Sequence, residues 1–217
     1  RKNVINAIYY SHKFVRKING TSSVSLRDLQ RFRRAYKFFN DYYKYKVEYL
    51  INKNEKISDK FKIKSKVESF VLSLFITYYI KIFKPGNKMF YLEAINDFVT
   101  NLAYKFTINE WYDDDNWIKE SFNTIVRNEQ DFLLKEMEVE KVKGIGLNNS
   151  LKENIFLMFF SIYSYIPLIV VGKPGCSKSL SIQLINRFMR GELSDSNFLK
   201  NFPTINNTSF QGSENNT

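Results

Sequence analysis

The sequence has a single cysteine, Cys176, and a single histidine, His12. One cysteine excludes an intrachain disulfide and favours a reducing compartment, which makes a cytoplasmic location the expectation. One cysteine and one histidine cannot assemble a zinc-binding module, which draws about four such ligands. No initiator Met stands at Arg1, no secretory signal pattern opens the chain, and the tail is polar and Asn-rich. The expectation is an incomplete fragment of a longer protein. The N-x-[ST] triplets, such as Asn206-Asn207-Thr208, are ascribed to chance in an Asn-rich chain without such a signal.

Hydrophobic residues make up 44% of the 217. That is enough for a packed core and excludes wholesale disorder. The net charge is +11, unevenly spread. Residues 1–66 hold 18 Lys/Arg against 5 Asp/Glu, whereas residues 67–217 hold 15 against 17. A basic, aromatic-rich front could contact nucleic-acid phosphates. No nucleic-acid-reading motif accompanies the charge, so a solvated basic face is the preferred reading and nucleic acid is not an expected partner.

Helical periodicity dominates the first two thirds. Ser25-Leu26-Arg27-Asp28 has the form of a capping box. Leu29, Phe32, Tyr36, Phe39 and Tyr43 then recur at spacings of three and four, which predicts one apolar helix stripe with Arg31, Arg34, Lys37 and Lys44 off it. A helix is also expected over 3–18, ended by Asn19-Gly20, and another over 67–83, stopped by Pro85-Gly86. The Lys-rich residues 52–66 are expected to be an exposed linker or helix start. Residues 90–106 and 116–140 read as further helices. Between them, the acidic run Glu110-Trp111-Tyr112-Asp113-Asp114-Asp115 reads as a solvated loop. It is not a Walker B segment, which needs a hydrophobic strand before its acids.

Ser150-Leu151-Lys152-Glu153 has the form of a second capping box, opening the apolar stretch 155–171. Ser161, Ser164 and Pro167 interrupt that stretch, so it is not expected to span a membrane. The expected division is a buried helix over 151–163, then a buried parallel strand, Leu168-Ile169-Val170-Val171.

Gly172-Lys173-Pro174-Gly175-Cys176-Ser177-Lys178-Ser179 follows at once and approximates the phosphate-binding pattern G-x-x-x-x-G-K-[ST], with Ser177 where glycine is usual. Main-chain N–H groups over 174–178, proline excepted, could wrap a polyphosphate, and the following helix adds the partial positive charge of its N-terminus. Lys178 is placed for the β- and γ-phosphates of ATP, and the Ser179 hydroxyl for Mg²⁺. Gly172, Lys173, Pro174, Gly175, Cys176, Ser177, Lys178, Ser179 and Leu180 are thus the candidate nucleotide-binding residues. Cys176 lies near Lys178 and a helix N-terminus, where a thiol can be oxidisable; a plain small loop residue is the preferred reading. After the loop, Ile182, Ile185, Phe188 and Met189 predict one helix face, with Arg187 and Arg190 in the last turn and Gly191 beyond it.

The motifs just quoted, together with residues 151–156 (LKENIF), 166–168 (IPL) and 208–213 (TSFQGS), resemble the mysterin family, giant RING-type E3 ubiquitin ligases with a dynein-like chain of AAA+ units. The family's loop also carries serine at the position of Ser177. Val24-Ser25-Leu26-Arg27-Asp28-Leu29-Gln30-Arg31-Phe32 is similar to the sensor-2 helix in the lid of AAA+ units of the mysterin, midasin and dynein type, which gives Arg27 a nucleotide-facing role. The resemblance implies an α-rich first two thirds followed by the start of an α/β P-loop (AAA+) domain. Residues 1–50 would end one lid, 51–143 would be a helical connection, and 144–217 would begin the next unit. It implies ATP and Mg²⁺ as cofactors, the rest of the same AAA+ chain as partner, and a ubiquitin-conjugating enzyme and ubiquitin as partners of parts outside these residues. Walker B, sensor 1, arginine finger and RING would likewise lie outside, so no catalytic residue is expected within the 217. A dynein- or midasin-type remodelling ATPase without ligase activity is the alternative, as is a basic helical nucleic-acid-binding module with a degenerate loop.

Overall fold

A computed structural model describes residues 2–53, 59–107, 121–142 and 144–204. Seven α-helices are found there: α1 (Lys2–Asn19), α2 (Leu26–Asn52), α3 (Asp59–Thr77), α4 (Pro85–Thr107), α5 (Phe122–Glu136), α6 (Asn149–Ser164) and α7 (Lys178–Phe188). The described residues contain no strand. Among them, no helix is long and apolar enough to cross a membrane.

The first helices follow their sequence signals. Gly20 takes φ 92, a left-handed value that suits glycine, and ends α1. At the start of α2 the capping box forms as expected. The Ser25 hydroxyl accepts from the Arg27 N–H at 3.3 Å, and Asp28 Oδ2 accepts from the Ser25 N–H at 2.8 Å. Phe32, Phe39 and Tyr43 of the expected stripe are buried; Leu29, near the helix start, is exposed.

Elsewhere the boundaries differ. The helix expected over 67–83 starts at Asp59 and ends at Thr77, followed by a 3₁₀ turn, Tyr79–Lys81. Pro85 does not stop that helix but opens α4. It occupies the first helical position, where a missing N–H costs nothing and φ is already helical. Ser150 is not a cap. Asn148 is, its Oδ1 accepting from the Leu151 N–H at 2.8 Å. Of the helix expected over 116–140, residues 122–136 are helical with Ser121 as N-cap. Residues 116–120 and the acidic run at 110–115 lie outside the described residues. The helix after the loop ends at Phe188, so Arg190 lies past its last turn. Gly191 opens a 3₁₀ turn at φ 59, where a Cβ would stand 2.5 Å from Thr204 Oγ1.

One hydrophobic core joins these helices, and its densest part is aromatic. Phe39 of α2 lies parallel to Phe156 and Phe160 of α6, at centroid distances of 6.1 and 5.3 Å. Phe198 and Phe202, after α7, fold back onto Tyr42 and Phe159. Burying such rings contributes about 2–3 kcal/mol each. The effect is to fix α6 against α2, and α6 is the helix from which the segment holding residues 172–180 departs.

Candidate functional site at the phosphate loop

α6 ends in a left-handed turn at Tyr165, φ 54, and the Ile166 N–H bonds to the Ser161 carbonyl at 3.0 Å. This six-to-one closure turns the chain out of the helix. Residues 166–173 then run without helix or ladder. The expected buried strand at Leu168–Val171 differs in its surroundings. Leu168 and Val170 are half-buried, whereas Ile169 and Val171 are 86% and 87% exposed. The alternation has the period of a strand with one covered face. A buried parallel strand needs neighbours on both edges, and none lies among the described residues.

The loop itself is built from two backbone reversals. Lys173-Pro174-Gly175-Cys176 closes with a Cys176 N–H to Lys173 carbonyl contact of 3.4 Å. Proline stands second and Gly175, at φ 83, third, which are the preferences of a type II turn. Ser177 then takes φ 57 and serves as N-cap of α7. Gly175 and Ser177 are thus both left-handed, with Cys176 between them; an alternation of this kind can turn successive N–H groups toward one side. The N–H groups of Gly175, Ser177, Lys178, Ser179 and Leu180 donate to no backbone carbonyl among the described residues.

Lys178 folds back over the loop. Its ammonium donates to the carbonyls of Gly172 at 2.6 Å and Lys173 at 2.7 Å. Gly172 faces Cys176 and Lys178 closely: a Cβ there would lie in ordinary contact, 3.5 Å from Cys176 Cβ, 3.7 Å from its Sγ and 3.8 Å from Lys178 Nζ. The structure therefore brings Gly172, Lys173, Cys176 and Lys178 together. Ser179 and Leu180 sit in the first turn of α7, with Ser179 exposed. Cys176 is a free, half-buried thiol. Ile185 and Met189 anchor α7 in the core as expected, while Ile182 and Phe188 are half-buried. Leu184 and Ser181 join the anchor, the Ser181 hydroxyl donating to the Ser177 carbonyl at 2.7 Å.

Arg27 lies apart from these contacts. It is exposed in the first turn of α2, and no hydrogen bond or ion pair joins its side chain to the loop. Its neighbours Asp28 and Arg31 line a small cavity with Ile166, Pro167 and Leu168, the approach to the loop. Asp28 is buried and receives Lys81 at 2.7 Å and Arg31 at 3.2 Å. Burial pushes its carboxyl pKa up, but the Lys81 ammonium, the Ser25 N–H and Arg31 outweigh this and hold it below its ordinary value.

Two features, one touching the loop and one between α2 and α5, have no local sequence signal. The Asn154 side-chain amide, on α6, donates to the Cys176 carbonyl at 3.0 Å. Glu129 of α5, fully enclosed, accepts from the hydroxyls of Tyr42 and Tyr43 and from the Lys46 ammonium at 2.7 Å. Burial first, then the Glu129 charge, raises both phenols well above their ordinary pKa and keeps them as donors. Among the described residues no group of His, Cys, Asp and Glu could hold a metal ion.

Residues 144–217 match the family model described as the RNF213 AAA domain. Among curated proteins, E3 ubiquitin-protein ligase rnf213-beta of Danio rerio is 38% identical over 108 residues, covering 50% of this chain and 2% of that protein. The E3 ubiquitin-protein ligases RNF213 of Homo sapiens and Mus musculus are 29% and 27% identical over 95% and 99% of this chain. The chain spans only 2–4% of the length of these relatives. No solved structure gives a significant match. The sequence is that of an RNF213-like, or mysterin-like, segment, with an AAA-type part at residues 144–217.

Proposed function

We propose that residues 172–180 are the Walker A loop of an AAA+ unit and bind ATP with Mg²⁺. The observation that carries this reading is the set of five N–H groups, on Gly175, Ser177, Lys178, Ser179 and Leu180, that have no backbone acceptor among the described residues and lie at two left-handed residues and a helix N-terminus beside one ammonium. Such an arrangement favours a chain of phosphates. Lys178 exchanges the Gly172 and Lys173 carbonyls for phosphate oxygens, a stronger partner because both members are charged. The Ser179 hydroxyl is the candidate Mg²⁺ ligand, and Gly172, Lys173, Pro174 and Cys176 shape the loop. Bound Mg²⁺ would neutralise phosphate charge.

The wider role follows the relatives, which are named E3 ubiquitin-protein ligases. In this reading the segment couples ATP binding and hydrolysis to conformational change in a cytoplasmic ubiquitin ligase. Residues 1–50 end the lid of a preceding unit, 51–143 connect, and 144–217 begin the next, with its α/β sheet including Leu168–Val171. Arg27 faces nucleotide of the preceding unit. The conjugating enzyme and ubiquitin engage other parts of the protein.

The test is titration of the protein with Mg-ATP. Lys178→Ala is expected to lower affinity about 30- to 100-fold, roughly 2–3 kcal/mol for a hydrogen bond between charged groups. Unchanged affinity in that variant defeats the site assignment. Steeply salt-dependent binding to RNA or DNA, indifferent to Lys178→Ala, would support the nucleic-acid alternative instead.

A further inference from the structure

The geometry points to Asn154 as a positioning residue of the phosphate loop, setting the direction of the Ser177 N–H through the peptide that links Cys176 to Ser177. This inference rests on the ATP reading above. A trans peptide is planar, so the carbonyl of one residue and the N–H of the next point in opposite directions. No peptide bond in the described chain is cis. The Cys176 carbonyl points at α6, where Asn154 Nδ2 donates to it at 3.0 Å. The Ser177 N–H therefore points away from α6, with no backbone acceptor of its own.

This peptide needs holding. Serine tolerates φ 57 less readily than glycine, so the Cys176–Ser177 plane is poised to rotate. A rotation would turn the Cys176 carbonyl to the side the Ser177 N–H faces and replace a donor with an acceptor. Asn154 opposes it from a rigid support. The same helix buries Ile155, Phe156, Phe159 and Phe160, and Phe156 and Phe160 stack on Phe39 of α2. The half-buried amide thus carries the fixed orientation of the aromatic core to one peptide of the loop. Asn154 touches no phosphate itself.

The informative variant is Asn154→Asp, which keeps the shape but sets a carboxylate oxygen against the Cys176 carbonyl. Mg-ATP affinity is expected to fall about tenfold, with the melting midpoint of the nucleotide-free protein close to wild type. Hydrogen exchange in the Mg-ATP complex gives the specific readout. Wild type should protect the amides of Ser177, Lys178 and Ser179; Asn154→Asp should lose protection at Ser177 and retain it at Lys178 and Ser179. Asn154→Ala provides the same comparison if the aspartate variant unfolds. Wild-type affinity and Ser177 protection in either folded variant, with Lys178→Ala impaired, would overturn the role of Asn154 and leave the ATP reading standing. Absence of Mg-ATP binding to the wild-type protein would overturn both.

Discussion

Ser177 departs from the usual phosphate-loop pattern, and its backbone explains why glycine is usual there. The residue sits at φ 57, in the left-handed region. For an L-residue with a Cβ this costs about 1–2 kcal/mol; glycine avoids the cost but gives up about 0.5–1 kcal/mol of unfolded-chain entropy. The Ser177 hydroxyl makes no cap hydrogen bond that would be lost. Ser177→Gly is therefore expected to stabilise the protein by about 0.5–1 kcal/mol, read as a higher urea midpoint at unchanged slope. A lower midpoint would refute strain at this residue. The motif was legible because its parts are local: the turn pair Pro174-Gly175, the pair Lys178-Ser179 and a helix face. Asn154 was not legible. Its partner lies 22 residues away, and an asparagine on a helix has many possible partners.

At the scale of elements, the N-terminus of α2 is the clearest case of a local signal with a distant supplement. The capping box was written in Ser25 and Asp28, and it forms. Lys81, from the 3₁₀ turn after α3, adds a charged partner to Asp28 that no local spacing announces, and its ammonium also reaches the Ser23 carbonyl at 3.2 Å. Asp28→Ala is expected to cost about 2–3 kcal/mol in urea unfolding, combining a lost cap with a part-buried ammonium left without its carboxylate. The pH dependence has a definite sign. The folded pKa of Asp28 is depressed, so its contribution is fully present above the unfolded value of about 3.9. It is lost as pH falls through the depressed folded value. The difference between wild type and Asp28→Ala should therefore be flat through neutral pH and shrink below about pH 4; a constant difference down to pH 2 would contradict the ion-pair account. Boundaries were less legible than faces. Proline can end one helix or open the next, and at Pro85 only the tertiary path decides between them. Asn148 and Ser150 both suit a cap, and Asn148 holds the position. The strand expected at 168–171 has no neighbouring strand among the described residues.

At the scale of the whole molecule, the stability of the loop's support depends on a polar hub inside an aromatic core. Glu129 is enclosed between α2 and α5, and each of its oxygens has donors: Tyr42 and Lys46 on one, Tyr43 and Lys46 on the other. A satisfied buried network fixes one packing, whereas a broken one leaves desolvated groups unpaired. Glu129→Ala removes the carboxylate and strands two phenols and a largely buried ammonium, so it should cost about 3–5 kcal/mol. Tyr43→Phe removes one donor of several and should cost about 1–2 kcal/mol. A smaller loss for Glu129→Ala than for Tyr43→Phe would contradict the hub. The same continuity gives the last expectation, which rests on the ATP reading. Phe39 on α2 stacks with Phe156 and Phe160 on α6, and α6 holds the loop through Asn154. If α2 and the loop unfold as one unit, a ligand that binds the loop must slow opening throughout the core by about RT ln(1 + [L]/Kd), about 2.7 kcal/mol at 100 times Kd. Hydrogen exchange at the amides of Phe39 and Tyr43 should then slow by about a hundredfold in saturating Mg-ATP. Slowing confined to α7 and the loop, with α2 unchanged, would mean that the aromatic core divides on opening and that nucleotide is felt only where it binds.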